Sequence, residues 1–364
     1  MLKKVFILLP LCVLLAAAVI GIAAGGADDP LVTLSYLKGV FTTQVDAQVE
    51  EKLAESDAAL LKELKQEFVS EPDQGTALSW TERRVKKGDI LIASPGTNVL
   101  VPSGTMRVDI VSGAVVDLTT GEEVSSGTEL AARHRYIVAE DTTAFFEVTS
   151  RTAVANYQGS YAFVYSDETD YTAIANALKV LGLFKGSNTG YGSGFDLEDM
   201  PSRLQAIIMF VRIMGEEEEA LAWTGGTPFS DVAPGTLGEK YVGYAYSKGY
   251  TGGYSDGTFR PTQKTNARQY VEFVLRAMGY STIQPDLSQT MSRAVASGVL
   301  TQEEADLLQS RTFLRADLVY VSYCALKAAM PDGQQTLSDV LQQKGCFTAE
   351  QWQAAQTLAA PTMG

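Results

Sequence analysis

Between about residues 168 and 330 the chain repeats itself, and an internal repeat constrains the architecture more tightly than any composition does. A unit too small to bury its own apolar face has to stack on its neighbours. The clearest unit opens with Phe229-Ser230-Asp231-Val232, passes through the apolar run Tyr241 to Tyr246, and reaches a glycine-rich loop from Gly249 to Pro261. It closes on a helix from Asn266 to Tyr280, so the unit reads helix, loop, helix. Asn266 is a good N-cap, because its side chain can accept from the first unpaired N–H groups of that helix. Tyr270, Phe273, Val274 and Met278 form the buried stripe. Within the loop, Tyr254-Ser255-Asp256-Gly257 is a turn in which Asp bonds the backbone and Gly takes positive φ. Gly252-Gly253 allows another surface to approach the backbone closely.

Two flanking units match less fully. The first carries Leu181 to Gly186, a loop through Gly194-Phe195, and a helix starting Ser202-Arg203-Leu204-Gln205 and ending near Gly215. The third carries Ala296 to Leu300 and a helix starting Leu314-Arg315-Ala316-Asp317. There the N-cap is lost to Leu314, and the loop is replaced by the helix start Thr301-Gln302-Glu303-Glu304. With these residues in view, the stretch resembles the S-layer homology domain. The carriers are the Phe-Ser-Asp-Val opening, the Gly-Tyr-x-Asp-Gly-Thr-Phe-x-Pro loop and the capped helix at Asn266. That family starts the helix with Thr-Arg-Ala-Glu, which falls on Asn266, Ala267, Arg268 and Gln269. The customary arginine position is therefore Ala267, with Arg268 one step away.

The resemblance covers rather under half the chain. It implies a three-fold α-helical assembly whose inter-repeat grooves hold a secondary wall polysaccharide, often one bearing pyruvate ketals. A sugar carboxylate suits a helix start that offers both an arginine and free N–H groups. On that basis Arg203, Gln205, Arg268, Arg315 and Asp317 at the helix starts, with Gly252, Gly253, Tyr254, Asp256 and Gly257 in the loop, are the expected polysaccharide-binding residues. Tyr250 and Tyr254 can face the apolar side of a sugar ring. Two other readings stand beside this one. Arg203 and Arg315 can pair with acids of neighbouring helices and hold the assembly together, and Asp256 and Gly257 can serve the turn alone.

The rest of the chain divides into distinct segments. Lys3-Lys4, the apolar run Val5 to Ile22 and Ala23-Ala24-Gly25-Gly26-Ala27 have the form of a secretory signal over 1–27, or of an uncleaved membrane anchor. Over 28–80, Leu34, Leu37, Phe41, Val45, Val49, Leu53, Leu60, Leu64 and Phe68 make one helical stripe, for self-association or for packing on a neighbour; Pro72 to Gly75 end it as a linker. Residues 84–157 switch to short β-type runs separated by turns, which indicates a small barrel, roll or sandwich. The repeats occupy 168–219, 220–282 and 283–330, and a helical tail follows over 331–364. The expected fold class is thus multidomain α+β.

Charge and chemistry exclude several functions. The 364 residues carry 43 acidic and 29 basic side chains, a formal charge of −14, which disfavours a nucleic-acid partner. It also means that an anionic polymer must be gripped by local cations rather than by the overall field. No Gly-x-Ser-x-Gly elbow, phosphate-binding loop or His-Glu-x-x-His is present, and no cofactor is implied. His134, the single histidine, reads as a strand-edge residue, and Glu216 to Glu219 as a solvated face without calcium-loop spacing. Cys324 and Cys346 either form one disulfide, which an exported location permits, or remain a buried and a free thiol. With too few Cys and His for a structural zinc site, no metal is expected. The sequence therefore reads as an exported protein held on the cell wall by its repeats. The rivals are a wall-remodelling hydrolase on the same anchor and a membrane-tethered spacer.

Overall fold

The computed structural model describes residues 73–139, 141–186, 194–282 and 286–360. The expected signal segment and the amphipathic stripe lie outside the described residues. Ten antiparallel strands come first: β1 (Gln74–Lys86), β2 (Ile90–Ala93), β3 (Asn98–Ser103), β4 (Met106–Ile110), β5 (Val115–Asp117), β6 (Glu122–Val124), β7 (Thr128–Glu129), β8 (Arg135–Val138), β9 (Ala144–Val148) and β10 (Thr152–Val164). Hydrogen bonding orders them β6-β5-β8-β3-β10-β2-β9-β4-β7, with β1 also on β10, in a nearly closed barrel-like sheet. Inward residues alternate along the strands, as a half-buried sheet requires, and Leu91, Val99, Met106, Val108, Phe146 and Tyr157 fill the interior.

The two 13-residue strands hold this sheet together. Along β10, Asn156 to Gln158 face β3, and Tyr161 to Val164 face β2. The change of partner falls at Gly159, which has φ +127 and would bring any Cβ within 2.7 Å of the Thr97 backbone. Only glycine accommodates both demands. The expected short strands are present at 90–93, 98–103, 106–110, 115–117, 135–138 and 144–148, but the β region starts earlier than Arg84 and ends later than residue 157. Residues from Gln74 onward belong to β1, correcting the linker at Pro72 to Gly75.

The helices follow: α1 (Tyr171–Val180), α2 (Arg203–Ile213), α3 (Glu217–Leu221), α4 (Leu237–Ser247), α5 (Ala267–Ala277), α6 (Thr290–Ala296), α7 (Gln302–Ser310), α8 (Arg315–Lys327), α9 (Leu337–Gln343) and α10 (Ala349–Ala359). The three helices that begin at the expected motifs, α2, α5 and α8, each pack against the other two. Ile207, Phe210, Tyr270, Val274, Val319 and Leu326 are fully buried in the resulting core. Tyr270 and Ser322 also share a hydrogen bond of 2.7 Å at its centre. The tail packs back on this core, α10 against α1 and α9 against α8, with Trp352 beside Tyr323 and Phe347. Cys324 and Cys346 are each free thiols, so the reading of a disulfide between them is set aside.

Phe210→Ala empties a fully buried position and is expected to cost about 3–5 kcal/mol in denaturant unfolding. Leu78→Ala, at a side chain 89% exposed, is expected to change stability by less than about 0.5 kcal/mol.

Candidate functional site

The helix starts at Arg203 and Arg315 are built alike. A glycine-free turn precedes each bonded segment, at Asp196 (φ 47) and Arg260 (φ 60), the residues that follow Phe195 and Phe259. The Arg203 and Leu204 amides donate to the carbonyls of Gln263 and Pro261 at 2.8 and 3.0 Å. The Arg315 and Ala316 amides donate to those of Asp199 and Leu197 at 2.9 and 3.0 Å. Arg203 Nε donates to the Phe259 carbonyl at 2.8 Å, and Arg315 Nε to the Phe195 carbonyl at 3.1 Å. The central loop therefore closes the first helix start, and the first loop closes the third. Each arginine holds a loop carbonyl rather than an acid of a neighbouring helix.

The environments of the two arginines differ. Arg203 is 4% exposed, with the rings of Tyr254, Phe259 and Phe273 stacked around its guanidinium. Arg260 lies over the same Tyr254 ring at 3.9 Å and pairs with Asp256 at 2.9 Å. Arg315 instead lines a cleft of about 190 Å³ together with Lys185, Arg212, Gln205, Phe184, Ile208 and Met209. Burial lowers the Arg315 pKa and the nearby Arg212 charge adds to this, against Asp196 and Asp199. Two cations crowded in a partly desolvated cleft make a place where an anion is favoured.

Of the expected binding residues, Arg315 and Gln205 meet in this cleft. Gln205 also closes the capping box of α2, its Oε1 accepting from the Ser202 amide at 2.8 Å. Tyr254 lies with Arg203, and Asp256 is committed to the turn, accepting from the Thr258 amide at 3.0 Å. Gly253 has φ +64, and a Cβ there would meet the Phe229 ring at 2.1 Å, while Gly257 has φ +77 with open space around it. Gly252 and Arg268 are exposed and distinct from the cleft lining. Asp317 is fully buried, accepting from the Leu314 amide at 2.8 Å and pairing with Arg151 and Arg311. Tyr250 turns its hydroxyl to Glu216.

Sequence reasoning missed Lys185, Arg212, Glu217 and Asp231. Asp231 accepts from the Phe259 and Arg260 amides at 2.8 and 2.7 Å, which is the physical reason for the acid in the Phe-Ser-Asp-Val opening. The acidic run at 216–219 is only half a solvated face. Glu218 and Glu219 are exposed, but Glu216 accepts from Tyr244 and Tyr250, and Glu217 from Lys185, Arg212 and Tyr241. In the barrel, His134 Nδ1 lies 2.6 Å from Asp117, a hydrogen-bond partner its sequence context did not reveal. Among the described residues no cluster of three or more His, Cys, Asp or Glu side chains is arranged to hold a metal.

Glu217 carries a pH signature. Burial alone raises its pKa, but donors from Lys185, Tyr241 and Arg212 outweigh this and lower it from 4.5 to about 2. The folded carboxyl binds its proton less readily than the unfolded one, so its contribution is complete above pH 4.5 and disappears as pH falls toward about 2. In urea unfolding from about pH 6 to about pH 2, Glu217→Gln is expected to flatten the loss of stability over that window.

Residues 228–266 match the S-layer homology domain family. The chain is also similar to a cell surface protein of Thermoanaerobacter kivui, 25% identical over 190 residues, covering 51% of this chain and 24% of that protein. It thus aligns with about a quarter of that relative's length. Among solved structures, recombinant pro-11S globulin of pumpkin aligns over 28% of each chain at 12% identity, with a TM-score of 0.15 that carries no argument about fold. The family match and the similarity to a cell surface protein support an exported, cell-surface location. The matched segment runs from the Phe229 opening through the glycine loop to the Asn266 cap, and with it the chain carries an S-layer homology domain.

Proposed function

We propose that this protein is a non-enzymatic component of the cell envelope, anchored non-covalently to the wall by three S-layer homology repeats. They bind an anionic, pyruvate-bearing secondary wall polysaccharide. The flanking repeats rest on two observations: the paired loop-to-helix closures at Arg203 and Arg315, and the mutual packing of α2, α5 and α8. The observation that carries the reading is the cleft in which Arg315, Arg212 and Lys185 converge beside Gln205.

The chemistry follows from the charge balance. The chain as a whole repels polyanions, so capture relies on these cations acting at close range. Glu217 holds Lys185 and Arg212 Nε from one side, so part of the positive charge is already matched. A sugar carboxylate suits the remainder, because guanidinium groups bind carboxylates with directed, charge-assisted hydrogen bonds. Phe184, Ile208 and Met209 offer the apolar lining that a pyranose ring packs against.

Co-sedimentation with purified wall, before and after removal of its secondary polymer, tests the reading. The protein is expected to pellet with intact wall and to stay in solution with stripped wall. Arg212→Ala and Arg315→Ala are each expected to weaken binding by about tenfold or more. Equal binding to stripped wall, or none to intact wall, overturns it.

A further inference from the structure

The barrel-like sheet touches the parts that form the cleft. Arg151, in the turn between β9 and β10, has a side chain only 16% exposed, and its guanidinium pairs with Asp317 and donates to the Thr312 carbonyl. Asp317 is the residue whose carboxylate caps the first turn of α8 by accepting from the Leu314 amide at 2.8 Å. Arg315 lies inside that turn. On the other side, Glu198 accepts from Thr152 at 2.6 Å and from Ser103 at 3.3 Å. Glu198 belongs to the loop whose Phe195, Leu197 and Asp199 carbonyls hold Arg315 and Ala316. Arg84 of β1 lies over the Phe195 ring at 5.2 Å. Both partners of Arg315, its own helix start and the loop beneath it, are therefore gripped from the sheet.

We propose that the barrel is a working part of the wall anchor, with Arg151 acting through Asp317 as the positioning residue that sets Arg315 in the cleft. This rests on the reading of the cleft as the polysaccharide site. The physical argument concerns a buried charge. Asp317 is inaccessible to water, so its carboxylate must be fully supplied with donors, and Arg151 supplies one oxygen while Arg311 supplies the other. Removing Arg151 leaves a buried carboxylate with Arg311 and one amide, and the first turn of α8 is free to shift toward the remaining cation. A displacement of an ångström at Arg315 is enough to lose a directed hydrogen bond to a carboxylate.

The test is a double-mutant cycle on the full mature chain, titrating purified secondary wall polymer by calorimetry below the unfolding temperature of every variant. Arg315→Ala is expected to weaken binding about 30-fold and Arg151→Ala about fivefold. If Arg151 works through Arg315, the double variant binds about as weakly as Arg315→Ala alone, and Arg151→Lys recovers part of the loss. Losses that multiply in the double variant, or an unchanged affinity in Arg151→Ala, overturn the positioning role while leaving the cleft reading intact. Absence of binding by the unaltered protein overturns both.

Discussion

The first turn of an α-helix leaves N–H groups without intrahelical partners, and how those groups are closed decides how this protein is assembled. At α2 and α8 they are closed by a loop from another unit, which gives two carbonyls to the helix and a third to the side chain of its first arginine. A hydrogen-bonded joint of this kind has a fixed geometry, unlike an apolar contact. The core of α2, α5 and α8 then forms around positions already set by the joints. At α5 the start is different. Asn266 caps the Gln269 amide at 3.0 Å, and no loop carbonyl reaches its first amides among the described residues. The third unit has α7 where the others have a loop, so the material for that joint is missing.

The two starts closed by a loop share their hydrogen bonds but not their surroundings. Arg203 is enclosed by aromatic rings and serves the joint, whereas Arg315 serves an equivalent joint and still borders a cleft that holds Arg212 and Lys185. The same motif position therefore has different surroundings in the first and third units. The barrel-like sheet adds a further level, because it reaches the third unit at Asp317 and the first at Glu198, the two parts between which Arg315 is held.

Much of this was legible in the sequence, for reasons that can be named. The Asn266 cap, the Thr301 helix start and the turn at Asp256-Gly257 are local, and local chemistry is readable from neighbours along the chain. The short strands β2, β3, β4, β5, β8 and β9 showed themselves by alternation and turn residues, whereas the brief β6 and β7 did not. The two long strands did not. β1 is largely exposed and therefore lacks an apolar pattern, and β10 changes partners midway at Gly159. The cleft was half legible. Arg315 and Gln205 carry the helix-start motif, but Lys185 and Arg212 lie in parts of the first unit outside that motif and meet the others only through the fold. Glu217 looked like one member of an acidic run, and only three-dimensional neighbours distinguish it from the exposed Glu218. The assignment of Asp317 to the ligand followed the family motif, and its burial against Arg151 depends on a domain distant in sequence.

The central claim is that a carboxylate-bearing wall saccharide seats in the cleft between α2 and α8. A crystal structure of the protein with a purified pyruvate-bearing polymer fragment tests it most directly. The account predicts the sugar carboxylate at the Arg315 guanidinium, with Arg212 and Lys185 around it and the ring against Ile208 and Met209. A fragment seated elsewhere, with the cleft empty, would contradict it.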